Sequence, residues 1–213
     1  MIEVKNRELK ITFNKAYIDK LIGSIEKHAY ITLTLVLSLI SIYYFVFYYH
    51  NGLGLAYNDA RSHLDIGRRV VEGLKPGIAQ LGSVWLPLMH ILMGLTIWND
   101  FMWHSGLAGA IISMISFVIT GLLIFRYLKE INVGFLGRLI GIAIFVANIN
   151  ILYLQSTAMT ELLLIATMTI ASYELLKWYK TDSILFLVKA AFWIMLATAT
   201  RYDGWFLLVW ATI

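Results

Sequence analysis

The sequence predicts an all-α polytopic membrane protein with about five or six transmembrane helices. Of its 213 residues, 60% are hydrophobic and only 14% are charged. Apolar runs that approach the length needed to cross a bilayer core, about 20 residues, recur along the chain. The net charge of +4 comes from Lys and Arg near the ends of these runs, so it does not indicate nucleic-acid binding. The absence of cysteine excludes disulfides and thiolate chemistry.

Residues 1–28 are predicted to form a basic segment in the cytoplasm or at the membrane interface. Lys and Arg are interspersed there with apolar residues, a pattern typical of an amphipathic helix on a membrane surface. The first span is predicted from Ala29 to about Tyr49, where a tyrosine cluster indicates an interface. Further spans are predicted over residues 106–125, 139–154, 162–176 and 184–200, and a sixth starts at residue 205. We expect residues 29–213 to be a transmembrane module truncated at its C-terminus.

Residues 50–104 are predicted to form a first external loop that carries interfacial amphipathic helices. Residues 60–74 place apolar side chains, including His63 and Leu64, on one helical face and charged side chains on the other. Gly73 and Pro76 are expected to end this helix. The apolar run 84–98 is short and bounded by tryptophans, which favours an interfacial or re-entrant helix over a span.

The distribution of Lys and Arg predicts a cytoplasmic N-terminus. With that orientation, twelve of the 17 basic residues fall inside and five outside. Because spans alternate, three polar clusters then emerge on the same extracytoplasmic face: the loop 57–65, the break 155–161 and the triplet 201–203. We therefore expect these distant clusters to form one shared external pocket.

Two carboxylates in these clusters have both a structural and a functional interpretation. Either Asn58 or Asp59 is an N-cap of the loop helix, and Asp59 is also a candidate general base. Glu161 suits the positive end of a helix dipole but is also an ionisable residue facing a site. Asp65 is predicted to be structural, because it lies four residues from both Arg61 and Arg69.

The external basic residues also have two interpretations. Arg61, Arg68 and Arg69 either attract anionic lipid headgroups or clamp a phosphate group. Arg201 and Asp203 either pair with each other as an interfacial anchor or belong to the site.

The histidines give no sign of a metal site. His63 is predicted to be packed on the apolar face of its helix. His90 and His104 lack metal-ligand spacing. A divalent metal between Asp59 and Glu161 remains open, and the sequence does not decide it.

The loop sequence resembles that of a known family. Residues 58–71, NDARSHLDIGRRVV, and 80–88, QLGSVWLPL, resemble the first external loop of GT-C membrane glycosyltransferases. The nearest branch is the dolichyl-phosphate-mannose protein mannosyltransferases and their bacterial and archaeal relatives. Residues 158–164, AMTELLL, and 200–205, TRYDGW, resemble later short motifs of the same group.

The resemblance implies transfer of a sugar from a polyprenyl- or dolichyl-phosphate donor to a protein, lipid or glycan acceptor on the extracytoplasmic or lumenal face. The family's essential carboxylate falls on Asp59, although many relatives have Asp-Glu where this chain has Asp-Ala. On this interpretation, Arg201, helped by Arg61 or Arg68, would bind the donor phosphate. Glu161 and Asp203 would support the site.

Two other interpretations remain open. One is a non-catalytic membrane scaffold that binds lipid, or a transporter fragment, although a transporter should carry ionisable residues on broken helices near mid-membrane. The other is a folded fragment that is inactive by itself.

Overall fold

The computed structural model describes residues 15–81 and 84–213, with side chains from residue 28 onward. Residues 1–14 of the predicted basic segment, and Gly82 and Ser83 of the loop motif, lie outside the described residues. Within them every regular element is helical and no strand is found. The helices are α1 (Lys15–His50), α2 (Asn58–Val71), α3 (Leu88–Met93), α4 (Asp100–His104), α5 (Leu107–Glu130), α6 (Phe135–Val146), α7 (Ile149–Leu154), α8 (Glu161–Thr181), α9 (Ile184–Thr198) and α10 (Gly204–Thr212), with a short 3₁₀ helix at Ile78–Leu81.

Two described helices are long and apolar enough to cross a membrane. They are the part of α1 from His28 to His50 and the whole of α5, Leu107–Glu130. Helices α6 and α9 are apolar but shorter. On α1, Ile31, Leu35 and Leu39 are 65%, 60% and 66% exposed, and so apolar a surface favours contact with lipid over water. These features indicate association with a membrane.

The third predicted span, residues 139–154, is wrong as a single helix. Helix α6 ends at Val146, and α7 begins at Ile149. The side chain of Asn148 accepts hydrogen bonds from the backbone N–H groups of Asn150 (3.0 Å) and Ile151 (3.4 Å). An Asn in this position caps a new helix. The run of apolar residues is therefore divided into two helices, although its hydropathy shows no break.

The loop between α1 and α5 is helical, as expected, with shifted boundaries. Helix α2 starts at Asn58 and ends at Val71, and only Leu88–Met93 of the run 84–98 is α-helical. An apolar core fastens this loop to α5 and to the break before α8. Its buried members are Ala60, Leu64, Met89, Met93, Ile97, Ala108, Ala158, Met159 and Leu163.

A second core holds the long helices together. Its buried side chains include Leu37 of α1, Phe117 and Phe125 of α5, and Phe145 of α6. Helix α8 packs against both α5 and α9. The two ends of this bundle differ: Lys177 near the end of α8 lies 3.4 Å from the carboxylate of Glu130 at the end of α5, and the loop helices cover the opposite end.

Candidate functional site

A cavity of about 390 Å³ lies at the end of the bundle that the loop covers. The start of α2, the segment before α3, the start of α8 and the turn between α9 and α10 form its walls. The lining residues are Tyr57, Asp59, His63, Val84, Trp85, Leu86, Met159, Thr160, Glu161, Thr200, Arg201, Tyr202 and Asp203. The structure thus brings together side chains from all three polar clusters, which are far apart in sequence.

Local contacts hold these walls in place. The N–H of Leu88 donates to the carbonyl of Ala199 (3.0 Å), which ties the loop to the end of α9. Ser113 Oγ donates to the carbonyl of Met159 (3.0 Å), which ties α5 to the residues just before α8. At Gly204 a Cβ would overlap the carbonyl of Ala197. Only glycine therefore fits the tight turn that carries Arg201 and Asp203.

Arg201 is the one Lys or Arg among the described residues that line the cavity. Its Nη1 donates to Glu161 Oε1 (2.8 Å) and Thr160 Oγ1 (3.1 Å), and its Nε donates to Asp203 Oδ2 (2.9 Å). Among the described residues, its Nη2 has no hydrogen-bond partner. Because these pairs are partly exposed, they orient the guanidinium more than they stabilise the fold. The result is a fixed guanidinium with one nitrogen left for a ligand.

Asp59 lies on the cavity wall without a partner among the described residues. Helix α2 begins at Asn58, so the N-cap position belongs to Tyr57, whose side chain makes no capping bond. The interpretation of Asn58 or Asp59 as the N-cap is therefore wrong. The Asp59 carboxylate is half-buried and makes no hydrogen bond or ion pair with any described residue. It is available to accept a proton or a hydrogen bond from a ligand.

His63 is a cavity residue that sequence reasoning assigned to packing alone. It is 2% exposed, and its Nδ1 lies 2.9 Å from Nε2 of His90. Its ring packs against Trp85 with centroids 4.7 Å apart. One signal could have found it: His63 follows Asp59 by four residues, which places both on the same face of α2.

Both histidines are neutral at neutral pH. Burial lowers the pKa of His63 to about 4, and the positive charge of Arg201 adds to this effect. Burial also lowers the pKa of His90 to about 4, with further contributions from His63 and Arg69. The pair therefore supplies hydrogen-bonding groups and no charge.

Arg61 and Arg68 do not line the cavity, contrary to their predicted role at the donor phosphate. Their guanidinium groups lie over the ring of Trp103, at 4.7 and 4.9 Å from its centroid. Arg61 pairs with Asp65 (3.2 Å), and Trp103 Nε1 donates to the same carboxylate (3.0 Å). These contacts agree with the structural role expected of Asp65.

Arg68 is further engaged by the segment that follows α3. Its Nη1 donates to the carbonyls of Ile97 (2.9 Å) and Trp98 (2.8 Å). Its Nη2 pairs with Asp100 (2.6 Å) and with Glu72. With a side chain only 12% exposed, Arg68 fastens α2 to the loop and is not part of the cavity lining.

The cavity does not fit a metal ion held by the protein alone. In the part of the chain that the structure describes, no three His, Asp or Glu side chains converge closely enough to form a metal site. Glu161 and Asp203 each give an oxygen to Arg201 instead.

No family model matches the chain, and neither a curated protein nor a solved structure matches it. The resemblance to GT-C glycosyltransferases therefore rests on the short motifs alone. Those motifs contribute Asp59, Glu161 and Arg201, three of the residues that line the cavity.

Proposed function

We propose that this protein is a membrane glycosyltransferase that moves a sugar from a polyprenyl-phosphate-linked donor to an acceptor hydroxyl at the extracytoplasmic face. One observation carries the proposal. Within the part of the chain that the structure describes, a single cavity contains the carboxylate of Asp59, which has no partner, and the oriented guanidinium of Arg201, whose Nη2 has none. Sugar transfer from a lipid phosphate needs a base at the acceptor and a cation at the leaving group.

The reaction proceeds in one displacement. The acceptor oxygen attacks the anomeric carbon while the bond from that carbon to the phosphate oxygen breaks, and the bonding electrons leave with the phosphate. Asp59 takes the acceptor proton. Arg201 stabilises the negative charge on the departing phosphate, and Glu161 and Asp203 keep its guanidinium in position. A single displacement inverts the configuration at the anomeric carbon.

The proposal includes a polytopic arrangement of five or six spans with a cytoplasmic N-terminus. The bias of basic residues supports this orientation. So does the contrast between the two ends of the bundle. Lys177 and Lys180 lie beside Glu130 at one end, and the cavity lies at the other. The partners of the protein are the bilayer, a polyprenyl- or dolichyl-phosphate sugar, and an acceptor that is a protein, a lipid or a glycan.

Substitution of the proposed base tests the function directly. Asp59→Asn keeps the size of the side chain but cannot take a proton, so we expect transfer to fall by about 10²–10⁴-fold. The measurement is single-turnover release of polyprenyl phosphate from a panel of polyprenyl-phosphate sugars in nanodiscs.

Asp65→Asn is the matched control for this test. Asp65 lies on the same helix, but it contacts Arg61 and Trp103 instead of the cavity. We expect this variant to retain most of the activity. Equal transfer by wild type and Asp59→Asn, with both proteins folded, would reject Asp59 as the base.

One observation favours a second candidate, a non-catalytic protein that binds or transports a cation. The cavity contains three carboxylates, those of Asp59, Glu161 and Asp203, against the single guanidinium of Arg201. An excess of negative charge attracts organic cations. Saturable binding of an amine probe, without release of polyprenyl phosphate from any donor in the panel, would support this candidate over the transferase.

A further inference from the structure

Two ring nitrogens of the His63–His90 pair have no partner in the described part of the chain. Because His63 Nδ1 faces His90 Nε2 at 2.9 Å, one of these two atoms carries the shared proton. His63 Nε2 has no hydrogen-bond partner among the described residues, and His63 itself is part of the cavity wall. His90 Nδ1, at the far side of the pair, is buried and also has no partner among them.

Two arrangements of the protons satisfy this hydrogen bond. If His63 Nδ1 donates, His90 must carry its own proton on Nδ1, which leaves a buried N–H without an acceptor. If His90 Nε2 donates, His90 Nδ1 is bare, and His63 carries its proton on Nε2. Buried N–H groups without acceptors are rarer in proteins than incompletely satisfied acceptors, so the second arrangement is favoured. It makes His63 Nε2–H a donor toward the cavity.

We propose that His63 Nε2–H is a second donor to the donor phosphate, beside Arg201 Nη2, and that His90 is a positioning residue that sets the tautomer of His63. This inference rests on the proposed function. The phosphodiester of a polyprenyl-phosphate sugar carries one negative charge, and the positive charge of Arg201 is already shared with Glu161 and Asp203. A further neutral donor adds direction to its binding without adding charge.

The surroundings of the pair suit this role. Trp85 packs against the His63 ring and fixes its plane. Arg201, from the turn before α10, and Arg69, on α2, both oppose protonation of the pair. Asp59 lies on the same face of α2 as His63, and Glu161 and Asp203 line the same cavity. Burial and the two arginines keep the pair neutral, and the hydrogen bond to His90 sets the tautomer of His63.

Nitrogen NMR of the histidine side chains tests the tautomer in the intact chain. The chain has five histidines, and His63→Gln identifies the signal of His63. In nanodiscs at pH 7, we expect His63 to be the Nε2–H tautomer. Its signal should shift when a polyprenyl phosphate is added and should not shift with the matching polyprenol. An Nδ1–H tautomer, or an equal response to both lipids, would overturn the proposal.

Substitutions of His63 test the proposed hydrogen bond to the phosphate through the affinity for polyprenyl phosphate. His63→Leu removes the donor, and we expect the affinity for polyprenyl phosphate to fall by about 10-fold, the effect of losing one hydrogen bond to a charged group. His63→Gln keeps an amide donor and should restore much of that loss. The matched control is His104→Gln, which changes an exposed histidine of α4 outside the cavity and should leave the affinity unchanged.

His90→Leu separates positioning from direct contact. This variant leaves the His63 side chain in place, so we expect a mixture of His63 tautomers and a smaller loss of affinity than in His63→Leu. Unchanged affinity in His63→Leu, together with normal sugar transfer, would overturn the inference alone. Binding that depends on His63, without transfer from any donor, would reject the transferase and leave the phosphate site standing.

Discussion

At the residue scale, the neutral histidine pair couples folding to pH. In the unfolded chain each histidine binds a proton near its ordinary pKa of 6.5, but in the folded protein the pKa of His63 and of His90 is about 4. Between these values the unfolded state binds more protons. The folded state is therefore fully favoured above about pH 6.5 and loses stability as the pH falls toward 4.

We predict that the unfolding temperature of the solubilised protein decreases from pH 7.5 to pH 5 and that the variant His63→Gln/His90→Gln shows a smaller decrease. Other groups also titrate in this range, so the difference between the two slopes isolates the pair. Thermal unfolding followed by circular dichroism gives both slopes, and His104→Gln is the control. Identical slopes in wild type and the double variant would contradict this origin of the pH dependence.

The sequence predicts some residues of the candidate site and not others, for a physical reason. Asp59, Glu161 and Arg201 stand near the ends of apolar runs, and the predicted alternation of spans would bring such positions to one face. Helical periodicity places Arg68 on the polar face of α2. It cannot predict the contacts of Arg68 with Trp103 and Asp100, because these residues belong to a distant segment. The polar role of His63 was not predicted, because its hydrogen-bond partner, His90, is 27 residues away in the sequence.

At the element scale, the break between α7 and α8 positions the site. Gln155 exchanges hydrogen bonds with Ser41, accepting from its hydroxyl (2.6 Å) and donating to its carbonyl (3.2 Å). These buried contacts satisfy polar groups in an otherwise apolar bundle. Helix α5 approaches the break closely at Gly109, where a Cβ would lie 2.7 Å from the Cα of Ala158. The close approach holds Met159, Thr160 and Glu161 at the cavity.

We predict that Gly109→Ala destabilises the protein by about 1–3 kcal/mol, the usual cost of overpacking a core, and weakens the cavity's ligand binding because the break must shift. The matched control is Gly67→Ala in α2, where the new Cβ would meet Ile97 and Met93 at an ordinary 3.6 Å. Ala is also the better helix former there. Chemical unfolding measures both changes, and a Gly109→Ala variant as stable as Gly67→Ala would refute the close-approach argument.

Sequence patterns predict the helices better than their boundaries. The amphipathic period of α2 and the carboxylate at the start of α8 both indicate elements that the structure contains. The division between α6 and α7 could not be read from hydropathy, because Asn148 acts through capping bonds and the apolar residues continue beyond it. The buried network of Gln155 and Ser41 joins residues 114 positions apart, and no local pattern encodes that pairing.

At the scale of the whole molecule, the proposed function depends on which side of the membrane the cavity faces. The chain contains no cysteine. A single introduced cysteine is therefore the one thiol of the chain, and its labelling reports the accessibility of that position. Tyr202 and Asp182 are both exposed residues outside the helices, and they lie at opposite ends of α9. The proposed arrangement of spans predicts that Tyr202 is extracytoplasmic and that Asp182 is cytoplasmic.

We therefore predict that a membrane-impermeant maleimide labels Tyr202→Cys in intact cells and labels Asp182→Cys only after the membrane is permeabilised. Each variant is the control for the other, because both residues are exposed and α9 is the helix between them. Labelling of both cysteines in intact cells would mean that α9 does not cross the bilayer. The reverse pattern would place the cavity in the cytoplasm, where an extracytoplasmic acceptor could not reach Asp59.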